Sequence, residues 1–449
     1  MKKLFIVAGC LLLVACSLAQ DITKKLQQAY RQFEADSQLK HAISSLYVID
    51  ARTSKVVFDK NSQVGLAPAS TQKIITAATS FELLGRGYRY KTEFGFYPND
   101  IPVGPITIRS FGDPSFGSSR YNSTNPEKLL SAIVQKAKDY GRPYSGMFQI
   151  DNTSFETQVI PDGWIFQDIG NYYGAGAGGF NWRENQFDLY LKSAGKTGDS
   201  VQVLSVAANK KFSTFFINEL RSASKGTGDN AYIYLPVGNN EYIVRGTIPV
   251  DENNFKISGA VYDAPGYFSF QAGNGFTLRK IKDPVKVFYT YYSPGMDSLI
   301  YWFLKKSINL YGEALIKTFA YEEKGFGSTD SGVAIVKDFW KQKGLDEGEL
   351  NISDGSGLSP QNRVTTHAQV EILKYARTKD WFPYFFDALP EYNGMKMKSG
   401  SIRDVKAFCG YQKGRDGNEY IFSFLVNNYN GSSSGVVNKM YKVLDVLKE

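Results

Sequence analysis

The sequence predicts an α+β protein in which one antiparallel sheet, flanked by helices, is interrupted by one or two inserted domains. Three observations carry that reading. Both ends of the chain supply strands and amphipathic helices. The span from Ser70 to Ser307, more than half of the chain, is β-rich and punctuated by Gly, Asn and Asp. At 449 residues, 43% hydrophobic and 14% aromatic, the chain can build two or three cores.

In chain order, Lys2-Lys3 followed by the apolar run Leu4–Ala15 reads as an export signal over residues 1–19, too short to span a membrane as a helix. Two processing readings stay open. Ser17-Leu18-Ala19 fits cleavage before Gln20, and Leu13-Val14-Ala15-Cys16 resembles a lipobox that would lipidate Cys16. Both place the protein outside the cytoplasmic membrane of a bacterium, in the periplasm, with or without a lipid anchor. Ile22, Leu26, Ala29 and Phe33 have helical spacing within 22–40. Residues 43–50 and 55–59 form β-rich runs around the turn 51–54, a hairpin. Pro68 ends the extended approach to Ser70. A helix from Ser70 turns Ile74, Ala77, Ala78, Phe81 and Leu84 inward and stops at Gly85. The long middle holds a helix at 126–140 and strands near 104–110, 146–151, 231–235 and 241–247. Asp297 or Ser298 caps a helix through Leu299, Ile300, Phe303 and Leu304. Strands at 405–412 and 419–427 make a hairpin led by Lys398-Ser399-Gly400, and Val437, Met440, Tyr441, Leu444 and Leu447 mark a terminal helix at 436–448.

The formal charge is +8, or +6 without Lys2 and Lys3, and no basic run is dense enough for nucleic acid. A basic surface fits plain solubility or affinity for an anionic cell wall. The two histidines, His41 and His367, do not suit a Ser-His-Asp enzyme, and no metal-ligand spacing occurs, so no metal or cofactor is expected. Cys409 alone remains in the folded body, which excludes an intramolecular disulfide there and suggests a buried, inert thiol.

Three short motifs carry the chemistry. Ser70-Thr71-Gln72-Lys73 puts a hydroxyl and an amine three residues apart on one helix face. Serine is a weak nucleophile until a base takes its proton, and a lysine of lowered pKa can do so. The helix N-terminus also favours developing negative charge. Downstream, in order, come Ser307-Ile308-Asn309 and Lys398-Ser399-Gly400. S-x-x-K alone is weak. The ordered trio is the signature shared by penicillin-binding proteins and class A β-lactamases.

On these motifs the chain resembles the class C low-molecular-mass penicillin-binding proteins, the D-alanyl-D-alanine carboxypeptidase/endopeptidases of the penicillin-binding-protein-4 type. Tyr292-Ser293-Pro294, Asp354-Gly355-Ser356-Gly357-Leu358-Ser359, Phe111-Gly112-Asp113-Pro114 and Gly163-Trp164 with Asp168 add to the likeness. The resemblance implies a serine β-lactamase/transpeptidase-like catalytic domain at 22–90 and 285–449. An inserted domain at 91–160 and 246–284 would interrupt it, itself interrupted by a second insert at 161–245. It implies Ser70 as the acyl-forming nucleophile, Lys73 as its base and Ser307 as proton carrier to the departing amine. Asn309 would bond the substrate amide, Lys398 and Ser399 the terminal carboxylate. The N–H groups of Ser70 and Ser401 would make the oxyanion hole, and Asp168 and Tyr173 would meet the amino end of the stem peptide. The implied partners are peptidoglycan stem peptides and β-lactams as acylating inhibitors, with the oligomeric state left open. The chain has Ser399 where threonine is usual and Ile308 where aspartate is common. Pro360 and Arg403 also stand in place of residues often seen elsewhere.

Two other readings compete. Glu347-Gly348-Glu349-Leu350-Asn351 mimics the loop that deacylates class A β-lactamases, although it runs straight into the Asp354–Ser359 stretch, read as a supporting turn. A non-catalytic wall-binding scaffold could keep the fold, but none of Ser70, Lys73 and Ser307 is lost.

Overall fold

The computed structural model describes residues 22–97, 104–141, 144–206, 216–237, 241–280, 285–415 and 417–449. The export signal and Cys16 lie outside them. Among the described residues, no helix is long and apolar enough to cross a membrane.

One six-stranded antiparallel sheet joins the two ends of the sequence. Its order is Glu391–Tyr392, Met395–Ile402, Val405–Lys413, Glu419–Asn427, Ile43–Asp50 and Val56–Lys60. Ile43 pairs with Asn427 and Asp50 with Tyr420, so the first strand closes on the last. The strand Glu419–Asn427 is buried at every position but its ends. Its apolar run without polar alternation follows from helices covering both faces.

On one face, the helix at 22–34 and the helix Ser433–Leu444 bury Leu26, Phe33, Val436 and Met440 against Phe422 and Phe424. Each such side chain, fully removed from water, contributes about 1.5–3 kcal/mol. On the other face lies the larger core. It is built from the helices Lys73–Leu83, Met296–Lys305, Asn309–Lys324, Thr329–Gln342, Thr366–Arg377 and Phe382–Ala388. The catalytic motifs sit where these helices meet the strand Met395–Ile402.

The inserted span builds three further sheets. The largest runs Gly275–Leu278, Tyr144–Asp151, Gly104–Ser110, Lys91–Phe96 and Lys286–Tyr292. Tyr144–Asp151 pairs in parallel with both neighbours, and the helix Pro126–Asp139 makes the crossover that a parallel pair needs. Two three-stranded sheets complete the insert. All three share one apolar cluster around Phe116, Phe148, Trp182, Leu189 and Phe268. The boundary expected at 245 falls inside the strand Tyr242–Pro249, and Lys286–Tyr292, expected in the catalytic domain, pairs with Lys91–Phe96. Both segments are β-rich on either side of the expected boundary, so pattern alone had no break to mark.

Candidate active site

Ser70 lies in a 3-10 turn, Ala69–Gln72, that leads into the α-helix Lys73–Leu83. The sequence predicts an α-helix from Ser70; the first turn is instead a 3-10 turn, and two glycines press closely on it. A Cβ on Gly400 would stand 2.5 Å from the Pro68 carbonyl, and one on Gly357 would stand 1.9 Å from the Ala69 carbonyl. This explains the glycine of Lys398-Ser399-Gly400 physically. Ala69 holds φ +46° and Ser307 holds φ +57°. Left-handed backbone at non-glycine residues costs on the order of 1–3 kcal/mol each and concentrates at functional sites.

Lys73 is fully buried. Its Nζ lies 2.9 Å from Ser70 Oγ, 2.6 Å from Asn309 Oδ1 and 2.7 Å from the Ser356 carbonyl. The carbonyl and the amide oxygen only accept, so each takes an N–H of the lysine. A neutral amine then has its lone pair left for the third contact, the Ser70 hydroxyl. Burial drives the Lys73 pKa well below the usual lysine value, and the charge of Lys398 lowers it further, against the opposing pull of Asp354 and Glu313. Burial and the neighbouring Lys398 charge thus favour the free amine at the serine.

Asn309 opens the helix Asn309–Lys324. Its other amide end donates to the Tyr173 carbonyl at 2.6 Å, which ties the insert to the catalytic helix. Ser356 belongs to the Asp354–Ser359 turn. The turn is knit by the buried Asp354 carboxylate, which accepts from Gln72 Nε2, Trp164 Nε1, Asn362 Nδ2 and the N–H groups of Gly357 and Ser359. The sequence singled out this stretch as a support. It did not reveal that the Ser356 carbonyl is an acceptor for Lys73.

Lys398 is buried opposite Cys409 across the sheet, and its Nζ donates to the Ser399 carbonyl at 2.8 Å. Burial brings its pKa down to about 8. Cys409 is itself buried, and burial pushes its thiol pKa up, which fits an inert thiol.

Ser70, Ser307, Asn309, Ser399, Ser401, Asp168 and Tyr173 line a single cleft of about 660 Å³; Lys73 and Lys398 are buried and do not line it, and they bond to Ser70 Oγ and the Ser399 carbonyl. Seven of the nine expected residues thus line one cleft, including Ser401, Asp168 and Tyr173, which the resemblance and not the motifs implied. The far wall adds Arg120, Tyr172, Gln186 and Tyr232, which carried no motif signal. Tyr173 Oη stands 3.4 Å from Asp168 Oδ1. Burial raises the Asp168 pKa, opposed by the Tyr173 hydroxyl and the charge of Arg403. The loop that mimics a deacylating glutamate is elsewhere. Glu347 pairs with Lys341 at the surface, and Glu349 accepts from Thr365 Oγ1 and contacts His367 Nδ1. Among the described residues, no group of His, Cys, Asp and Glu could hold a metal.

A serine facing a desolvated amine, inside a helical layer packed on an antiparallel sheet, defines an acyl-transferring serine enzyme of the S-x-x-K type. The model of the D-Ala-D-Ala carboxypeptidase 3 (S13) family matches residues 26–391, and the chain belongs to that family. A D-alanyl-D-alanine carboxypeptidase of Actinomadura sp. (strain R39) is 25% identical over 442 residues, covering 88% of this chain and 80% of that protein. The D-alanyl-D-alanine carboxypeptidase DacB of Haemophilus influenzae is 23% identical over 410 residues, covering 84% and 83%. The fold agrees with the crystal structure of penicillin binding protein 4 from Haemophilus influenzae. The TM-score is 0.76 at 19% identity, over 96% of this chain and 99% of that one. The same protein complexed with a β-lactam gives a TM-score of 0.70.

Proposed function

We propose that this protein is an exported serine DD-peptidase that removes the terminal D-alanine from peptidoglycan stem peptides, and that β-lactams acylate it at the same serine. Ser70 Oγ attacks the carbonyl of the penultimate D-alanine while Lys73 accepts the hydroxyl proton. The tetrahedral oxyanion sits against the N–H groups of Ser70 and Ser401. The C–N bond then breaks, and the proton passes from Lys73 through Ser307 to the leaving amine. Water hydrolyses the resulting ester and frees the shortened stem.

Lys398 and Ser399 hold the terminal carboxylate, and Asn309 orients the substrate amide. Asp168 and Tyr173 receive the amino end of the stem. A cross-linked stem presents the same D-alanyl bond, so endopeptidase cleavage falls within reach of the same chemistry. Cys16 is the candidate lipid anchor, and the compartment is the periplasm.

One observation carries this reading. Lys73 Nζ stands 2.9 Å from Ser70 Oγ, with its hydrogens directed to two groups that can only accept. The test is D-alanine release from a pentapeptide stem, beside Ser70→Ala. Wild type should release D-alanine and the variant should lose at least ~10³-fold, because the covalent route is gone. Penicillin labelling without release from either simple or cross-linked stems would leave the scaffold reading. Rapid turnover of a chromogenic cephalosporin would point to a β-lactamase.

A further inference from the structure

Two buried carboxyl groups flank Lys73, and they are held in opposite ways. Asp354 accepts five hydrogen bonds, two from backbone N–H groups and three from side chains. That many donors satisfy an ionised carboxylate away from water. Glu313 is also fully buried. Its Oε2 accepts from the Gly355 N–H at 3.0 Å, and its Oε1 has no hydrogen-bond partner among the described residues. The cation nearest along its own helix, Lys317, is turned away. It donates to the carbonyls of Gln158 and Ala177 and pairs with Glu156 at 3.2 Å. A buried carboxylate with only the Gly355 amide and the Ser356 hydroxyl to oppose its burial, and no ion pair among the described residues, is costly, whereas a carboxylic acid in the same place is less so.

The position of Glu313 is equally telling. It lies four residues after Asn309, on the same helix face. Its bond to Gly355 fixes the residue next to Ser356. Here helix and turn touch backbone to backbone: a Cβ on Gly355 would stand 2.2 Å from the Gly312 carbonyl, and one on Gly312 would stand 2.8 Å from the Gly355 carbonyl. Glu313 thus clamps together the two elements whose oxygens, Asn309 Oδ1 and the Ser356 carbonyl, receive the hydrogens of Lys73.

We propose that Glu313 is a positioning residue that works as a neutral carboxylic acid, clamping the two acceptors of Lys73 while withholding the negative charge that would keep the lysine protonated. With Asp354 ionised, Lys398 charged and Glu313 neutral, the buried cluster balances only when Lys73 is the free amine. An ionised Glu313 would instead stabilise the ammonium form and disarm the base. The groups that face Glu313 are Lys73 and Asp354 from the packed elements and Lys317 from its own helix. Burial, then the Asp354 charge, raise its pKa to about 8, against weaker pulls from the Gly355 amide, the Ser356 hydroxyl and Lys73. This role rests on Lys73 being the base of the proposed DD-peptidase.

The test is an infrared titration of wild type against Glu313→Gln, which needs no turnover. A protonated-carboxyl C=O band should be present in wild type at neutral pH, bleach as pH rises through about 8, and be missing from the variant. No such band at neutral pH overturns the assignment. Should Glu313→Gln not fold, Glu313→Asp supplies the comparison: a band belonging to this residue must shift in position or midpoint, and a band unchanged in both overturns the assignment. Acylation by fluorescent penicillin supplies the functional readout. The acid limb should keep its midpoint in Glu313→Gln, because no charge has been removed there. A limb moved to lower pH, read as a tenfold or greater gain in rate on its steep part, would mean that Glu313 was ionised and would overturn the inference. A band without D-alanine release would count against the DD-peptidase reading and leave the neutral acid standing.

Discussion

The two walls of the cleft are built on different principles. The catalytic wall is saturated with bonds. Ser70, Lys73, Asn309 and Ser356 form one connected set, and Asp354 alone ties down five donors behind it. The insert wall is sparse. Asp168 and Tyr173 meet at a long 3.4 Å, Tyr172 is exposed, and Arg403 reaches Gln167 at 3.2 Å from the catalytic side. Chemistry needs atoms held within a few tenths of an ångström, so its wall is over-determined. Recognition of a flexible peptide tolerates looser groups that can turn to meet it. On the proposed roles, the wall that performs the reaction should therefore fail steeply when altered, and the wall that reads the stem should fail gently.

The largest effect belongs to Lys73. Lys73→Ala should slow acylation by penicillin at least ~10³-fold, since the proposed mechanism routes both proton removal and proton delivery through the amine. Fluorescent-penicillin labelling by rapid quench measures it, and a loss below about tenfold would break the contrast between the walls. Next comes Asp354→Ala, which takes one acceptor from each of five donors; Gln72 Nε2 and Asn362 Nδ2 each keep a backbone carbonyl, and the other three lose their partner. A cost of about 3–5 kcal/mol in stability is expected, read as a lower Tm by calorimetry. Acylation should fall with it, because the Ser356 carbonyl loses its fixed place.

The same contrast governs what was legible in the sequence. The catalytic wall is short-range: Ser70 and Lys73 are one turn apart, Ser307 and Asn309 are two residues apart, and Lys398 to Ser401 share a strand. Motifs preserve such spacing, so all of these could be named from the chain alone. Four strands of the six-stranded sheet, at 43–50, 55–59, 405–412 and 419–427, were legible for a related reason, since they alternate or run apolar between clear turns; Glu391–Tyr392 was not, and Met395–Ile402 showed only as its motif. Glu313 was not legible. An acid in a helix reads as solvated, and its burial depends on Gly312 meeting Gly355, a contact between segments far apart in sequence. Arg120, Gln186 and Tyr232 escaped for the same cause, because only the tertiary fold brings them to the cleft. The domain boundaries blurred where one apolar cluster serves all three insert sheets.

A smaller effect separates the walls by pH. Lys398 sheds its proton near pH 8, the side of the ordinary lysine value that burial dictates. Below that pH it is charged and attracts a carboxylate; above it the attraction is lost. For stems ending in a free carboxylate, KM should rise as pH passes through about 8, whereas stems capped as the amide should show no such rise. Glu313 titrates in the same range, but it acts on Lys73 and so lowers kcat for both kinds of stem. Steady-state kinetics on the paired substrates resolves the two, and an equal KM rise for capped stems would remove Lys398 from carboxylate recognition.

The smallest effect should come from the insert wall. Asp168 is half-buried, with its nearest side-chain donor, the Tyr173 hydroxyl, at the limit of hydrogen-bond distance. An acid facing a cleft is suited to a cationic amine; burial raises the Asp168 pKa, with the Tyr173 hydroxyl and the Arg403 charge opposing the rise. Asp168→Asn removes the charge and keeps the shape. KM should rise about three- to tenfold for stems with a free amino end, since a partly solvated charge-assisted hydrogen bond is worth roughly 1 kcal/mol. Stems acetylated at that amine should be indifferent to the substitution, and kcat should hold for both. If acetylated and free stems lost affinity alike, Asp168 would be supporting the wall and not reading the amine. The insert would then shape the cleft without choosing its substrate.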